Sequence, residues 1–182
     1  MHSESQIMKT QGKQLGFIIV ALGLVMFLWT YIGDPTFLFD HIWISVVYQW
    51  LLPIGLAIYA VAQGKKQLGG YISYKSALGI SAIGLILGTA VVVLFNALMY
   101  NVIDPDFKAL MEEKSIEFTI GFLERMNATE EQMAEAIDQL KERDQLGFRA
   151  QMMGMVFMSI YYLVVSLIVA AAMKKDNPEG QI

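Results

Sequence analysis

The 182-residue chain has no cysteine, only two histidines and little charge. Without cysteine it can form neither a disulfide framework nor a thiolate metal site. Charged side chains make up 16% of the residues, whereas typical soluble domains carry about 25%. The basic residues form no patch that would attract nucleic acid. These absences disfavour a soluble or nucleic-acid-binding protein and point to the membrane class.

Long apolar runs take the place of the missing charge. A helix rises about 1.5 Å per residue, so roughly 20 apolar residues cross a bilayer. The first run ends in Trp29 and Tyr31, which are typical of a membrane interface, and not in the small-residue cleavage site of a signal peptide. Four runs predict four membrane helices, at residues 15–32, 42–62, 77–103 and 150–173.

One sizeable polar segment lies between the third and fourth runs. Residues 104–149 carry 12 acidic and 6 basic side chains. Asp104 suits a helix N-cap, Pro105 suits the first helical position, and Thr129 and Gln132 have the spacing of a capping box. We expect two helices here, lying on the membrane surface or on each other. The predicted fold class is all-α: a single domain over all 182 residues, with four membrane helices in a bundle and an amphipathic helical insert between the third and fourth.

The distribution of lysines predicts the orientation. The N-terminal tail has two, the loop between the second and third runs has three, the C-terminal tail has two, and the loop between the first and second runs has none. We therefore expect a multi-pass protein of a bacterial inner membrane. Both termini would be cytoplasmic, and the acidic segment 104–149 would be periplasmic.

Two amides interrupt the apolar runs at similar depth. Gln49 and Asn96 each lie about seven residues from the outer end of their helix. Pro53 frees the carbonyl of Gln49, because proline lacks an N–H and clashes with the carbonyl four residues back. We expect the amides to bond to each other or to that carbonyl; the alternative is a polar binding site in the outer half of the bundle. Tyr161 either lines the groove of such a site or packs in the core.

Small residues predict helix-packing faces. Gly84-x-x-x-Gly88 in the third run has the spacing that lets two membrane helices touch backbones. We expect packing inside the bundle, with a homodimer seam or a partner helix as the alternative. The same spacing recurs in the fourth run, at Ala150, Gly154, Ser166 and Ala170.

An Asp-Pro-x-Phe sequence follows both the first and the third run, at residues 34–37 and 104–107. Two interpretations are open. In the first, the hairpins are repeats with a shared site between them, as in some transporters. Alternatively, Asp-Pro simply starts a helix twice, because both residues favour helix N-termini.

The signals for a metal are weak. Asp104, Asp106, Glu112 and Glu113 form a carboxylate cluster of a kind that can bind calcium, but a capped, solvated helix start is the preferred interpretation. Four methionines between residues 152 and 158 are better explained by flexible packing than by copper. No nucleophile–base set and no phosphate-binding loop is visible. We therefore expect no cofactor and no enzymatic activity.

Three stretches carry a family resemblance: residues 70–79 (GYISYKSALG), Asp104-Pro105-Asp106-Phe107 and residues 166–175 (SLIVAAAMKK). Together with the long third run, they resemble a bacterial family known as domain of unknown function 4199. The resemblance covers most of the chain and implies a small four-span inner-membrane protein. It supplies no catalytic residues.

Three functions fit these features. The first is a non-catalytic accessory or scaffold subunit of a bacterial inner-membrane assembly, with a membrane-protein partner or a second copy of the chain. The second is binding of a membrane lipid or lipid-linked precursor around Gln49, Asn96 and Tyr161. The third is a small transporter or channel, which the uncharged runs disfavour because ion coupling usually needs a charged or titratable group. Nucleic acid is not expected as a partner.

Overall fold

The computed structural model describes residues 3–142 and 144–177. Within these residues all regular structure is helical, apart from an isolated β-bridge between Ile72 and Lys175. The helices in chain order are α1 (Glu4–Gly33), α2 (Phe37–Asp40), α3 (Ile42–Gln67), α4 (Tyr74–Ile103), α5 (Pro105–Arg125), α6 (Glu130–Glu142) and α7 (Phe148–Met173).

Helices α1, α3, α4 and α7 are long and apolar enough to cross a membrane. They contain 30, 26, 30 and 26 residues, more than the roughly 20 that the hydrocarbon core requires. Their outward faces carry many exposed large apolar side chains, as expected for helices that contact lipid. The predicted fold class is confirmed: four membrane helices with a helical insert, α5 and α6, between the third and fourth.

Helix α1 begins earlier than the apolar run that predicted it. It starts at Glu4, whereas the run starts at residue 15. The Ser3 hydroxyl accepts the Gln6 N–H at 3.3 Å, and the Gln6 side chain accepts the Ser3 N–H at 3.0 Å. This capping box satisfies free donors at the helix start. The polar residues therefore extend the helix beyond the apolar stretch.

The four membrane helices form a bundle with unequal contacts. Helix α4 packs against α1, α3 and α7, and α3 also packs against α1 and α7. Helices α1 and α7 have little direct contact. Buried apolar side chains from all four helices form a core in the half of the bundle nearer the chain termini, including Leu15, Val61, Ile80, Leu85, Val169 and Ala170.

A set of contacts at that end, which we call the terminal latch, joins three chain segments. The N–H of Ile72 donates to the Lys175 carbonyl and the N–H of Lys175 donates to the Ile72 carbonyl, both at 2.9 Å. The Glu4 carboxylate accepts the Ser73 N–H at 3.0 Å and the Ser73 hydroxyl at 2.6 Å. The latch ties the loop between α3 and α4 to the start of α1 and to the residue pair after α7.

At the opposite end, α5 and α6 pack on each other and form what we call the acidic cap. Lys108 pairs with Asp144. The Leu146 carbonyl accepts the side-chain N–H groups of Asn101, at 3.0 Å, and Gln151, at 2.8 Å. The connection from α6 to α7 is thereby fixed to the ends of α4 and α7.

Helix α6 begins at the predicted capping box. The N–H of Thr129 donates to the Gln132 side chain at 2.9 Å, and the N–H of Gln132 donates to the Thr129 hydroxyl at 3.3 Å. None of the residues in α6 is fully buried, because α5 covers only part of its apolar stripe. Packing of α5 and α6 against each other is one of the two arrangements expected for the insert.

The two Asp-Pro sequences share a local structure. Helices α1 and α4 both end in a π-helical turn. The N–H of Asp34 donates to the Trp29 carbonyl at 3.1 Å, and the N–H of Asp104 donates to the Met99 carbonyl at 2.8 Å, five residues back in each case. The Asp34 side chain then accepts the Thr36 N–H and that of Asp104 accepts the Phe107 N–H, each at 2.9 Å. The similarity is local, since α2 has 4 residues and α5 has 21.

The Asp104 carboxylate joins the end of α1 to the start of α5. It accepts the Phe107 N–H at 2.9 Å and the Tyr31 hydroxyl at 2.8 Å. The backbone hydrogen bond, and next the tyrosine hydroxyl, hold the pKa of Asp104 below its usual value. A carboxylate with a lowered folded pKa stabilises the fold above its unfolded pKa of about 4, and this contribution is lost as the pH falls through the folded pKa.

We therefore expect the unfolding temperature to fall when the pH is lowered from about 7 to about 3.5. Asp104→Asn should show a smaller fall, because asparagine still caps the helix but does not titrate. Asp34, whose pKa is lowered by the Thr36 hydroxyl, accounts for part of the remaining fall. Thermal unfolding in detergent, followed by circular dichroism, measures the difference. Asp106→Asn is the control, because the Asp106 side chain is exposed; equal pH dependence in Asp104→Asn and wild type would contradict the prediction.

Candidate functional site

A cavity of about 260 Å³ lies inside the bundle, in the half nearer the acidic cap. All four membrane helices contribute to its wall, together with three residues predicted from the sequence: Gln49, Pro53 and Asn96. The wall is mainly apolar. Its polar side chains are Tyr48, Gln49, Thr89, Asn96 and Tyr162.

Pro53 removes the helical hydrogen-bond donor of a backbone carbonyl next to this cavity, that of Gln49. Because proline has no N–H, the Gln49 carbonyl lacks its usual helical partner, and the turn before it, Val47–Leu51, is π-helical. The hydroxyl of Tyr162 on α7 donates to the Gln49 carbonyl, with an O···O distance of 3.5 Å. The distortion expected near Pro53 therefore creates an acceptor that α7 uses.

The two predicted amides meet at the cavity but do not bond to each other. Gln49 and Asn96 both line the wall, and within the described residues no hydrogen bond joins their side chains. The Asn96 side-chain oxygen, Oδ1, is buried and has no hydrogen-bond partner there. The expected amide–amide bond is not formed. The structure thus leaves an unsatisfied acceptor in the bundle.

The hydroxyl groups around the cavity already have partners. Tyr48 donates to the Leu22 carbonyl of α1 at 3.2 Å. Thr89 lies within hydrogen-bonding reach of the Tyr162 hydroxyl, which itself contacts the Gln49 carbonyl. None of the described residues that line the cavity is Asp, Glu, Lys, Arg or His. The site is therefore neutral, and the two amide side chains are the polar groups left for a ligand.

Tyr161 packs away from the cavity. Its ring lies edge-on to Trp50, with the ring centroids 4.9 Å apart, whereas the neighbouring Tyr162 lines the wall and is only 4% exposed. Successive residues on a helix are rotated by about 100°, so they face different neighbours. At this position in the wall, Tyr162 takes the place that the sequence suggested for Tyr161.

Gly84 and Gly88 lie where α4 crosses α1. A Cβ atom added at Gly84 would lie 2.4 Å from the Leu15 side chain, and one at Gly88 would lie 2.9 Å from the Gly16 carbonyl oxygen. Distances this short mean that the two helices approach each other through their backbones. This small-residue face is used inside the bundle.

Helix α1 has a matching small face that was not singled out from the sequence. Gly12 and Gly16 repeat the four-residue spacing of Gly84 and Gly88. An added Cβ at Gly12 would lie 3.2 Å from Ile83, and one at Gly16 would lie 3.5 Å from the Gly84 carbonyl oxygen. The signal was present as a second Gly-x-x-x-Gly at the start of the first apolar run.

The two small faces of α7 have different surroundings. Ser166 and Ala170 are completely buried in the bundle, and the Ser166 hydroxyl has no hydrogen-bond partner among the described residues. Gly154 is exposed, and a Cβ added there would have nothing within 4 Å. The expectation that the Ala150–Gly154 face packs in the bundle is wrong at Gly154, because none of the described residues lies within 4 Å of a Cβ added there.

The predicted residues at the start of the insert form a helix cap. Asp104 is the N-cap of α5, Pro105 is its first residue and Asp106 lies exposed in its first turn. Across residues 3–142 and 144–177, no three His, Asp or Glu side chains are grouped so that they could hold a metal ion. These carboxylates therefore lie at the helix start and apart from the cavity.

Sequence comparison assigns the chain to a family. The profile of a family described as protein of unknown function (DUF4199) matches residues 14–175, which is most of the chain. The chain belongs to the DUF4199 family. No curated protein and no solved structure matches it.

The DUF4199 match contains every residue that lines the cavity, the glycines of α4 and the whole acidic cap. It omits the first turns of α1, including Gly12. The family description names no activity. The features that bear on the function of this DUF4199 protein are therefore its own cavity, acidic cap and charge distribution.

Proposed function

We propose that this DUF4199 protein is a non-catalytic accessory or scaffold subunit of a membrane assembly, and that its acidic cap binds the partner. The observation that supports this role is the charge of the cap: segment 104–149 has 12 acidic and 6 basic residues. A partner with a basic surface would complement that charge. The proposal that the chain lacks catalytic activity rests on the absence of a nucleophile–base set in its sequence.

A groove between α2 and α5 offers the partner a docking site. It has a volume of about 460 Å³ and combines three aromatic rings with two acidic and two basic side chains: Phe39, Phe118, Phe122, Asp40, Glu117, Lys114 and Arg125. The Phe39 and Phe118 ring centroids are 5.6 Å apart, and Phe122 is 47% exposed. Aromatic residues often anchor protein interfaces. The groove therefore suits a partner segment that inserts an apolar side chain between polar ones, while the net acidic charge of segment 104–149 favours a basic surface around it.

A substitution in this groove should weaken binding of the partner. Native mass spectrometry of the protein, extracted gently from its own membrane, should show a second chain in fixed ratio. Phe122→Ala should reduce that ratio, because Phe122 lines the groove. Leu110→Ala is the control, since Leu110 is also on α5, is 36% exposed and does not line the groove. Wild-type protein that contains only this chain would refute the subunit role.

We further propose a bacterial inner membrane as the location, with both termini in the cytoplasm and segment 104–149 in the periplasm. The two chain ends that this proposal concerns, residues 1–2 and 178–182, lie outside the residues that the structure describes. Basic residues favour the cytoplasmic side of membrane proteins. Seven lysines flank the spans on the side of the terminal latch: Lys9, Lys13, Lys65, Lys66, Lys75, Lys174 and Lys175.

Single cysteines report this orientation directly, because the chain has none of its own. In intact cells, Glu131→Cys should react with a maleimide that cannot cross the inner membrane, whereas Lys66→Cys should react only after lysis. Glu131 and Lys66 are both exposed, so their accessibility is matched. The opposite pattern would place the acidic cap in the cytoplasm.

A second candidate function, binding of a membrane lipid, is favoured by the cavity. All four membrane helices line it, and its wall is mainly apolar with the neutral amide residues Gln49 and Asn96. Cavities between the helices of bundles are common ligand sites. Because the lipid would occupy the bundle and the protein partner would occupy the cap, each function can be tested without the other.

A further inference from the structure

A second groove, of about 230 Å³, lies between α1 and α3 at the end of the bundle that carries the terminal latch. Five of its nine lining residues are polar, and four of these are glutamines: Gln11, Gln14, Gln63, Gln67 and Tyr59. None of the lining residues is charged. We call it the glutamine groove. It shares only Leu56 with the cavity beside Pro53, so it is a separate site.

Gln11 is the buried member of this set. It is only 6% exposed, and its side-chain amide has no hydrogen-bond partner among the described residues. Its amide atoms are not enclosed, in contrast to Asn96 Oδ1, so they face the open groove that Gln11 lines. An amide has two N–H donors and an acceptor oxygen, and an unpaired one in a mainly apolar setting is costly. A molecule in the groove would supply the missing partner.

The other polar side chains of the glutamine groove are also unpaired. Gln14, Gln63, Gln67 and the Tyr59 hydroxyl form no side-chain hydrogen bond within residues 3–142 and 144–177. Each glutamine amide can donate and accept, and so can the phenol. Side chains from two helices thus direct donors and acceptors to one narrow space. A ligand with several neutral hydrogen-bonding groups would satisfy them together.

The groove runs from the end of the helices towards the hydrocarbon core. Gln67 is the last residue of α3, and Gln63 and Tyr59 come four and eight residues before it, which is about 6 and 12 Å deeper. On α1, Gln11 lies beside Gly64, since a Cβ added at Gly64 would be 3.7 Å from the Gln11 Cγ atom. The amides are therefore concentrated near the helix ends, where lipid headgroups lie.

An adjoining surface of α1 carries a positive charge. Lys13 and Phe17 lie there beside Gln14 and Ile18, two residues that also line the glutamine groove. Lys13 is exposed and forms no ion pair with a described residue. Its Cα is about 3 Å deeper along α1 than that of Gln11, and that of Phe17 is about 6 Å deeper still. Amides, a cation and apolar side chains thus follow one another in the order of a lipid's headgroup, phosphate and acyl chains.

This combination of groups selects among phospholipids. Lysines next to a membrane attract anionic lipids, which favours a phosphate over an uncharged headgroup. A headgroup ammonium, as in phosphatidylethanolamine, would find no carboxylate in the glutamine groove and would lie near a lysine of the same charge. Hydroxyl groups both donate and accept, as the amides do. The matching ligand is an anionic phospholipid with an alcohol headgroup.

We propose that the glutamine groove binds phosphatidylglycerol. The glycerol hydroxyls bond to the glutamine amides, the phosphate lies at Lys13, and an acyl chain lies along Phe17 and Ile18. The site is distinct from the acidic cap and from the cavity beside Pro53, so the inference is independent of both candidate functions. It also holds for either orientation of the chain, because both leaflets present their headgroups at the helix ends.

Three photoactivatable phospholipids with the same diazirine-bearing acyl chains test the proposal: phosphatidylglycerol, phosphatidic acid and phosphatidylethanolamine. The full chain is placed in phosphatidylcholine nanodiscs with a trace of one probe, illuminated and digested, and the labelled residues are located by mass spectrometry. Phosphatidylglycerol should give the strongest labelling around Ile18 and Tyr59, phosphatidic acid less, and phosphatidylethanolamine least. Because the probe is in trace amount, labelling is proportional to affinity. Labelling at Val92 and Met158, which line the other cavity, is scored separately and tests the lipid-binding candidate function.

Two variants, each with a matched control, make the test specific. Gln63→Leu should reduce phosphatidylglycerol labelling by about threefold to twentyfold, the range expected for one membrane hydrogen bond, and should leave phosphatidic acid labelling unchanged. Its control is Gln145→Leu, which removes an exposed glutamine at the acidic cap. Lys13→Gln should reduce labelling by both anionic probes by about fivefold. Its control is Lys75→Gln, which removes the same charge from an exposed position on α4 that lines neither surface.

Each outcome supports or overturns a defined part of the proposal. Groove labelling that is strongest with phosphatidylglycerol, and that falls in Gln63→Leu and Lys13→Gln but not in their controls, supports it. Equal labelling by phosphatidylglycerol and phosphatidic acid overturns recognition of the glycerol hydroxyls by the glutamines. Equal labelling by all three probes, as expected for lipid that merely surrounds the bundle, overturns the site. An absence of groove labelling, as expected if another protein chain covers α1 and α3, also overturns it.

Discussion

Replacement of Gly88 by leucine is expected to destabilise the bundle by about 1–3 kcal/mol, the usual cost of overpacking. A Cβ at Gly88 would lie 2.9 Å from the carbonyl oxygen of Gly16 and 2.9 Å from the Cβ of Ile19. Neither atom is the free end of a flexible side chain, so α1 and α4 must move apart. Because α4 also packs against α3 and α7, the displacement disturbs contacts throughout the bundle.

Unfolding in mixed detergent and dodecyl sulfate measures this loss as a change in the free energy of unfolding. Gly154→Leu is the matched control, because Gly154 is also in a membrane helix and an added Cβ there would meet nothing within 4 Å. The control should stay within about 0.5 kcal/mol of wild type, as most surface substitutions do. An equal loss in Gly88→Leu and Gly154→Leu would show that the α1–α4 contact is not the cause.

Phe107→Ala should cost about 3 kcal/mol, at the lower end of the range for removal of a buried phenylalanine. Phe107 is 7% exposed, at the start of α5. Its ring centroid lies 4.8 Å from that of Tyr31, 5.8 Å from that of Tyr100 and 6.0 Å from that of Phe27. These rings come from α1, α4 and α5, so the substitution removes the aromatic contact between the acidic cap and the bundle.

The effect of Phe107→Ala should appear in both global unfolding and local hydrogen exchange. Amide protection in α5 should decrease most, since that helix loses its anchor to the bundle. Phe122→Ala is the control, because Phe122 is on the same helix and is 47% exposed; its stability should stay within about 0.5 kcal/mol of wild type. If both alanine variants unfold alike, helix propensity in α5 and not the aromatic cluster determines stability.

The features that were predicted correctly depend on local sequence. The four membrane helices follow from the length of the apolar runs, since hydrocarbon thickness sets a minimum that each run meets. The starts of α5 and α6 follow from Asp104-Pro105 and from the Thr129–Gln132 capping box, in which the side chains involved are three residues apart. Such contacts form within one helical turn and require no knowledge of neighbouring helices.

The features that were missed depend on how the helices face each other. The π-helical turns Val47–Leu51 and Ile83–Leu87 each change the rotation of the helix, so a single 3.6-residue period assigns faces incorrectly beyond them. A direct bond between Gln49 and Asn96 was a reasonable expectation from their matching depth. Depth alone, however, does not show that a cavity lies beside both side chains.

The terminal latch also has a consequence for biosynthesis. Lys175, which pairs with Ile72 through two backbone hydrogen bonds, is made 103 residues after it. At translation rates of about 5–20 residues per second, the loop after α3 waits about 5–20 s for its partner. The bridge can form only when α7 has been synthesised and has joined the bundle. Closure of this loop is therefore a late event in assembly, and its protection from proteolysis marks a chain whose last membrane helix is in place.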